Sequence, residues 1–279
     1  MLAFFMNLAP LFDNTKMIKL GGFKMRMNKS CNISIIIPCY NEEKVISKNL
    51  QEVYDEMKKL KEKFKIDDFE IIAVDDGSKD KTAEKIKEVS DRVSEVKLLH
   101  YEQNKGKGGA VKEGFRAARF DYLLFMDADL ATELYFIKPF ITLRNTADVI
   151  IGDRTRFSKE NSAGRPVLRK IMSKGCVKTV HLLLPELGEI HDFQCGFKMF
   201  SREAAELCLR KSTIDRFAFD TEFLYICKKN DMRIIESPVL WHEMNDSKVK
   251  ARRDSSEFIK ALLLMRKKRY EYKERMEDN

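Results

Sequence analysis

The sequence predicts an α/β fold with a mostly parallel central sheet flanked by helices. Three observations carry that expectation. Short β-branched runs alternate with charged amphipathic stretches from residue 31 to residue 153. Each intervening stretch has the length that a crossover between parallel strands requires. Polar clusters follow the apolar runs, at the carboxyl ends of the expected strands, where open sheets of this kind bind ligands.

Taken in order, Ile33-Ser-Ile-Ile-Ile-Pro38 reads as a buried parallel strand that ends at its proline. A charged amphipathic helix is expected from about Glu43 to Lys63, then a strand over Glu70-Ile-Ile-Ala-Val74 and a helix from about Lys79. Strand Val96-Lys-Leu-Leu99 precedes a helix from about Lys107 to Arg119. Strand Tyr122-Leu-Leu-Phe-Met126, a helix after Thr132 and strand Asp148-Val-Ile-Ile151 complete a core of four or five strands.

With 279 residues, 44% of them apolar, the chain can bury one large core, and a single elaborated domain fits it better than two. The net charge of +8 is concentrated in two stretches. Between Arg154 and Lys178, eight basic residues face one acid, Glu160, which points to a polyanionic partner. The second stretch, Lys248 to Arg275, fits a solvated helix face and a functional surface equally well. Neither carries a recognised nucleic-acid binding motif, so nucleic acid is not the expected partner. The six cysteines form no C-x-x-C pair and no metal-ligand spacing with the four histidines, the pattern of a reduced cytosolic protein without disulfides. Residues 1–12 are apolar but too short to span a bilayer, and no run of about 18 apolar residues occurs, so a soluble or peripheral protein is expected.

Asp127 and Asp129 flank one residue directly after an apolar strand. Such a pair aims carboxylate oxygens at one hard cation, Mg2+ or Mn2+, beside a diphosphate; the same pair also suits helix capping. At the second strand end, Asp75 or Asp76 can accept from a base N–H while Gly77 permits close approach, and Ser78 or Asp80 can cap the next helix. Lys107 stands where a glycine turn enters a helix, a place for phosphate or base carbonyls. That turn, Asn104-Lys-Gly-Lys-Gly-Gly109, has neither the dinucleotide-binding nor the phosphate-loop spacing.

Ile35-Ile-Ile-Pro-Cys-Tyr-Asn-Glu-Glu43, Val74-Asp-Asp-Gly-Ser78, Asn104-Lys-Gly-Lys-Gly108 and Asp127-Ala-Asp129 together resemble family 2 glycosyltransferases of the GT-A fold. Gly152-Asp-Arg154, Asp192-Phe-Gln-Cys-Gly-Phe-Lys198, Phe217-Ala-Phe-Asp-Thr-Glu222 and Ser247-Lys248 are most similar to the dolichyl-phosphate glucosyltransferase branch. The resemblance implies an extension over 1–30, a GT-A domain over 31–250 and a basic helical tail over 251–279. It implies that Pro38, Tyr40, Glu42, Asp76 and Lys107 contact the nucleotide, beside Asp75. Asp127 and Asp129 hold metal and diphosphate, and Arg154 faces phosphate. Arg169 and Ser173, four residues apart on one helix face, match the acceptor-phosphate position of related synthases. The implied reaction is one inverting displacement that moves glucose from UDP-glucose to polyprenyl or dolichyl phosphate at the cytoplasmic membrane face. GDP-mannose or UDP-N-acetylglucosamine as donor, or a saccharide hydroxyl as acceptor, stays open. A hydroxyl would need a base, for which Asp220 is the first candidate and Asp192 the second. Met172, Cys176, Val180 and Leu183 recur at helical spacing among lysines, the pattern of either a core helix or a membrane surface.

Overall fold

The computed structural model describes residues 31–64, 66–157, 167–216, 218–242, 251–268 and 270, without the side chains of 167–174 and 251–255. The expected extension over 1–30, Phe217 and Ser247-Lys248 lie outside the described residues. Strands β1 (Cys31–Cys39), β2 (Ile66–Asp76), β3 (Val96–Tyr101), β4 (Tyr122–Met126), β5 (Val149–Asp153), β6 (Phe197–Ser201) and β7 (Ile234–Pro238) form one sheet in the order β3-β2-β1-β4-β6-β5-β7. The helices are α1 (Ile46–Phe64), α2 (Thr82–Ser90), α3 (Lys107–Ala117), α4 (Ile137–Leu143), α5 (Val167–Leu183), α6 (Arg202–Lys211), α7 (Phe219–Lys229) and α8 (Ala251–Lys267).

The two-residue period of a strand divides β1 between two apolar layers. Ile33, Ile35 and Ile37 pack into the layer that holds α1 and α2, and Ile36 into the layer beneath α3. On α1, Ile46, Leu50, Val53, Met57, Leu60 and Phe64 recur every three or four residues, and all are buried. That spacing puts one apolar stripe on the sheet. β1 runs one residue beyond the expected stop at Pro38. β4 pairs with β1 only through Ile36, so the N–H that Pro38 lacks removes no bond from that ladder.

The expected core is parallel and spans 31 to 153. The sheet instead gains β6 from farther along the chain, antiparallel to both β4 and β5, and then β7 parallel to β5. Phe197, Lys198, Met199 and Phe200 are all buried there. A five-residue strand with a lysine at its second position does not read as buried from pattern alone.

The stripe on α5 faces the core: Val180 is fully buried, and Cys176 and Leu183 pack against the cluster beneath α3, while Met172 falls outside the described side chains. The sequence left this stripe open between core and membrane, and the core holds the part that is described. α8 also docks inward through Phe258, Leu262 and Met265. Beyond it Tyr270 donates its hydroxyl to Glu222 Oε1 at 2.7 Å.

Candidate active site

The polar clusters meet at the carboxyl ends of β1, β2 and β4. Asn41, at φ 55°, receives its turn geometry from side chains opposite. Its N–H donates to Ser78 Oγ at 2.9 Å, and its Oδ1 accepts from Lys79 N at 2.8 Å. Glu42 N donates to Thr82 Oγ1 at 2.7 Å. The loop carrying Tyr40 and Glu42 is thereby laced to the one that follows β2, with Pro38 at its root on β1 and Tyr40 39% exposed. Asp80 accepts from Thr82 N at 3.0 Å, but it stands one residue before the N-cap, Lys81, so neither Ser78 nor Asp80 is the cap itself.

Asp75 and Asp76 are both buried, and each already has partners within the chain. Asp75 accepts from the Ser78 hydroxyl and lies 2.7 Å from His100 Nδ1. Asp76 Oδ1 accepts from Tyr101 Oη at 2.8 Å and Lys105 N at 2.7 Å; its Oδ2 accepts from Asn104 Nδ2 at 2.8 Å and Gly106 N at 2.9 Å. Four donors match the roughly four lone-pair sites of a carboxylate. Asp76 therefore fixes the glycine turn. Gly106, at φ 89°, adopts a backbone that side chains disfavour, and α3 starts at the next residue, Lys107.

Lys107 reaches from that turn to Asp127 Oδ1 in a close ion pair. Burial works against its ammonium, but the charges of Asp127 and Asp220 outweigh it and raise the lysine pKa. Asp127 rests on Gly196, where a Cβ would stand 2.0 Å from Oδ2, so only glycine leaves room for the carboxylate. Burial, and next the charge of Asp127, raise the Asp129 pKa. Two repelling carboxylates with hard oxygens suit a divalent cation. Among the described residues no cluster of three His, Cys, Asp or Glu side chains forms. A cation there would draw its remaining ligands from diphosphate and water, as Mg2+ commonly does. The residues fit such a group.

Asp220 opens α7 and accepts from the Lys198 ammonium at 2.7 Å, while the same ammonium donates to the Cys195 carbonyl. Lys198 is fully buried. Burial raises the Asp220 pKa against the pull of Lys198 and Lys107. Arg154 grips Asp192 with both ends of its fork, Nε to Oδ2 at 2.6 Å and Nη2 to Oδ1 at 2.8 Å. Its guanidinium also lies over the Trp241 ring, 5.4 Å from the centroid. Burial opposes the Asp192 charge, but Arg154 outweighs it and lowers that pKa. Burial pushes the neighbouring Cys195 thiol up to about 12, which removes it as a nucleophile near neutral pH.

The structure thus brings Lys107, Asp127, Asp129, Arg154 and Asp220 into one charged array, and Asp76 holds the turn from which Lys107 starts. Arg169 and Ser173 lie on the first turns of α5, outside the described side chains. Sequence reasoning quoted Gly196 only within the motif Asp192–Lys198, without its place under Asp127, and Trp241 gave no signal at all.

The sequence model of the family described as Glycosyl transferase family 2 matches residues 34–208. A dolichyl-phosphate beta-glucosyltransferase of Trichomonas vaginalis is 35% identical over 229 residues, covering 78% of this chain and 68% of that protein. One from Dictyostelium discoideum is 36% identical, covering 84% and 73%. The protein of that description from Homo sapiens is 34% identical, covering 78% and 69%. Among solved structures, glucosyl-3-phosphoglycerate synthase of Mycobacterium tuberculosis, in complex with Mn2+, UDP-glucose and phosphoglyceric acid, superposes with a TM-score of 0.59 at 19% identity, covering 85% of this chain and 79% of that one. Mannosyl-3-phosphoglycerate synthase of Rubrobacter xylanophilus gives 0.58 at 20%, covering 85% and 73%. These two likenesses show the GT-A fold.

Proposed function

Because this chain belongs to glycosyl transferase family 2 and is a glycosyltransferase, we propose that it moves glucose from UDP-glucose to a polyprenyl phosphate of the dolichyl kind. The observation that carries the acceptor class is the engagement of Asp220. This carboxylate, the first candidate for a base, is held by the buried Lys198 ammonium at 2.7 Å. A base tied in that way suits an acceptor that needs none. A phosphate monoester is such an acceptor, since its second pKa of about 6 leaves it anionic near neutral pH.

In this reading the loop after β1, with Pro38, Tyr40 and Glu42, borders the nucleotide beside Asp75, and Asp76 keeps the glycine turn in place. Lys107 and Arg154 meet the diphosphate, each exchanging a carboxylate partner for phosphate oxygens. Asp127 and Asp129 would hold Mg2+ or Mn2+, which when bound neutralises charge on the departing diphosphate as a Lewis acid. Arg169 and Ser173 receive the acceptor phosphate, and one displacement inverts the anomeric carbon. The chain acts from the cytoplasmic face as a peripheral protein. Among the described residues no helix is long and apolar enough to cross a membrane.

Purified protein with Mg2+ or Mn2+ is incubated with UDP-glucose, GDP-mannose or UDP-N-acetylglucosamine, with and without polyprenyl phosphate. Glucosyl phospholipid from UDP-glucose alone is expected. Transfer to a saccharide hydroxyl without lipid phosphate would sink this reading. Arg169→Ala should raise the Michaelis constant for polyprenyl phosphate about tenfold to a hundredfold, the equivalent of one charge-assisted hydrogen bond. Arg169→Lys should recover only part, since an ammonium lacks the planar fork.

A further inference from the structure

We propose that the outer face of α8, together with a basic groove at its C-terminal end, docks on an anionic phospholipid bilayer; the idea rests on the lipid-acceptor reading above. The inner stripe of α8 is already used, with Phe258, Leu262 and Met265 in the core. Yet Ile259, Leu263 and Leu264 on its other side are 45%, 44% and 55% exposed, and Leu182 at the end of α5 is 76% exposed. One exposed leucine needs no explanation. Here four of the six exposed large hydrophobic residues among the described side chains fall on two helices that touch, with Arg266 Nη1 donating to the Leu183 carbonyl at 3.4 Å.

The charge beside this patch is mostly positive. Lys229, Arg266, Lys267 and Lys268 line the groove against a single acid, Glu186. Along α8 itself, Arg252, Arg253, Lys260, Arg266 and Lys267 outnumber Asp254 and Glu257, five against two. Apolar side chains interspersed with lysines suit a helix lying in the plane of a headgroup layer, where the leucines enter the acyl boundary and the ammoniums reach outward to phosphate. A second copy of the chain is a poorer occupant, because a two-fold contact would set this cationic patch against itself. An anionic bilayer complements it. α5 ties the patch to the proposed acceptor site, for Leu182 lies thirteen residues after Arg169, about 20 Å along a helix at 1.5 Å per residue.

The test is sedimentation of the full chain with vesicles of phosphatidylcholine, alone or mixed with phosphatidylserine. The wild type should pellet with the mixed vesicles and be released as salt rises. Leu263→Ser/Leu264→Ser should weaken that partitioning about tenfold or more, and Lys260→Glu/Lys267→Glu by a similar factor, at about fivefold for each lysine lost from the surface. All four side chains are solvent-facing, and thermal melting confirms that both variants fold. The proposal is overturned if the wild type ignores mixed vesicles or pellets equally with phosphatidylcholine at every salt concentration. It is equally overturned if both variants bind like the wild type, or if light scattering finds a dimer that either variant dissociates. Turnover of UDP-glucose with a short, water-soluble polyprenyl phosphate is read without vesicles and should be unchanged in both variants. A fault in the catalytic reading shows in that assay, and a fault in the docking surface shows in the pellet.

Discussion

At the carboxyl end of β2 the two site aspartates are held by hydroxyl, amide and imidazole groups: Asp76 by Tyr101, Asn104 and two backbone N–H groups, Asp75 by Ser78 and His100. On the β6 side the two site aspartates are held by cations: Asp220 by Lys198 and Asp192 by Arg154. Dipolar donors fix a backbone shape, and they hold it whether or not substrate is bound. Ion pairs keep positive charge in reserve, and a phosphate can compete for it. The first half is built to recognise and the second to respond. Lys107 joins them, reaching from the turn that Asp76 orders to Asp127.

The comparison is broken most severely by stranding a charge on the responsive side. Lys198→Met should cost about 3–5 kcal/mol of stability in urea unfolding, because it leaves Asp220 buried without its cation. Lys198→Met/Asp220→Leu should recover most of that loss, and a double variant as unstable as the single one would refute the pairing. Next in size, Asp127→Asn and Asp129→Asn should each lower turnover by on the order of a hundredfold to a thousandfold while leaving the melting temperature nearly unchanged. Full turnover in either variant, or after exhaustive chelation, would contradict a cation at that pair. On the recognising side, Asp76→Asn should cost about 1–3 kcal/mol, since an amide turns one N–H toward donors. Because most of its partners are dipoles, that cost should be the same in low and high salt.

The smallest effect sharpens the link between the halves. Folding raises the Asp129 pKa, through burial first and then the charge of Asp127. The folded chain therefore holds this proton more tightly than the unfolded chain does. The stability it contributes is complete below the ordinary carboxylate pKa and is lost as pH rises through the raised one. A divalent cation should offset that loss, so Mn2+ should raise the melting temperature by a few degrees near pH 7 and by less near pH 4. A shift independent of pH would place the cation elsewhere.

Much of the first half was legible in the sequence because its signals are local. Each strand there ends directly in the polar residues it presents, as Val74 runs into Asp75 and Asp76. The second half was harder to read, because Arg154 and Asp192 stand 38 residues apart and Lys198 and Asp220 stand 22 apart. A buried lysine on a strand looks, in sequence, like an exposed one. The motif around Lys198 was noticed through its resemblance to relatives, but its antiparallel strand was not. Periodicity identified the stripe on α5, yet period alone does not say which neighbour meets it, and packing against the α3 layer supplied that answer.

The antiparallel insertion also constrains the order in which the molecule can assemble. β6 pairs Phe197–Ser201 with Tyr122–Met126 on one side and with Val149–Ile151 on the other. As the chain leaves the ribosome, β1 to β4 emerge before β6, and their mutual pairing does not require it. β4 then presents an open edge for the time taken to make about seventy more residues. Such an edge is a template for pairing with the wrong strand. The strand that brings Lys198 to the site is thus also the one that closes this window, and a nascent chain halted before Phe197 has a hazard that the finished protein does not.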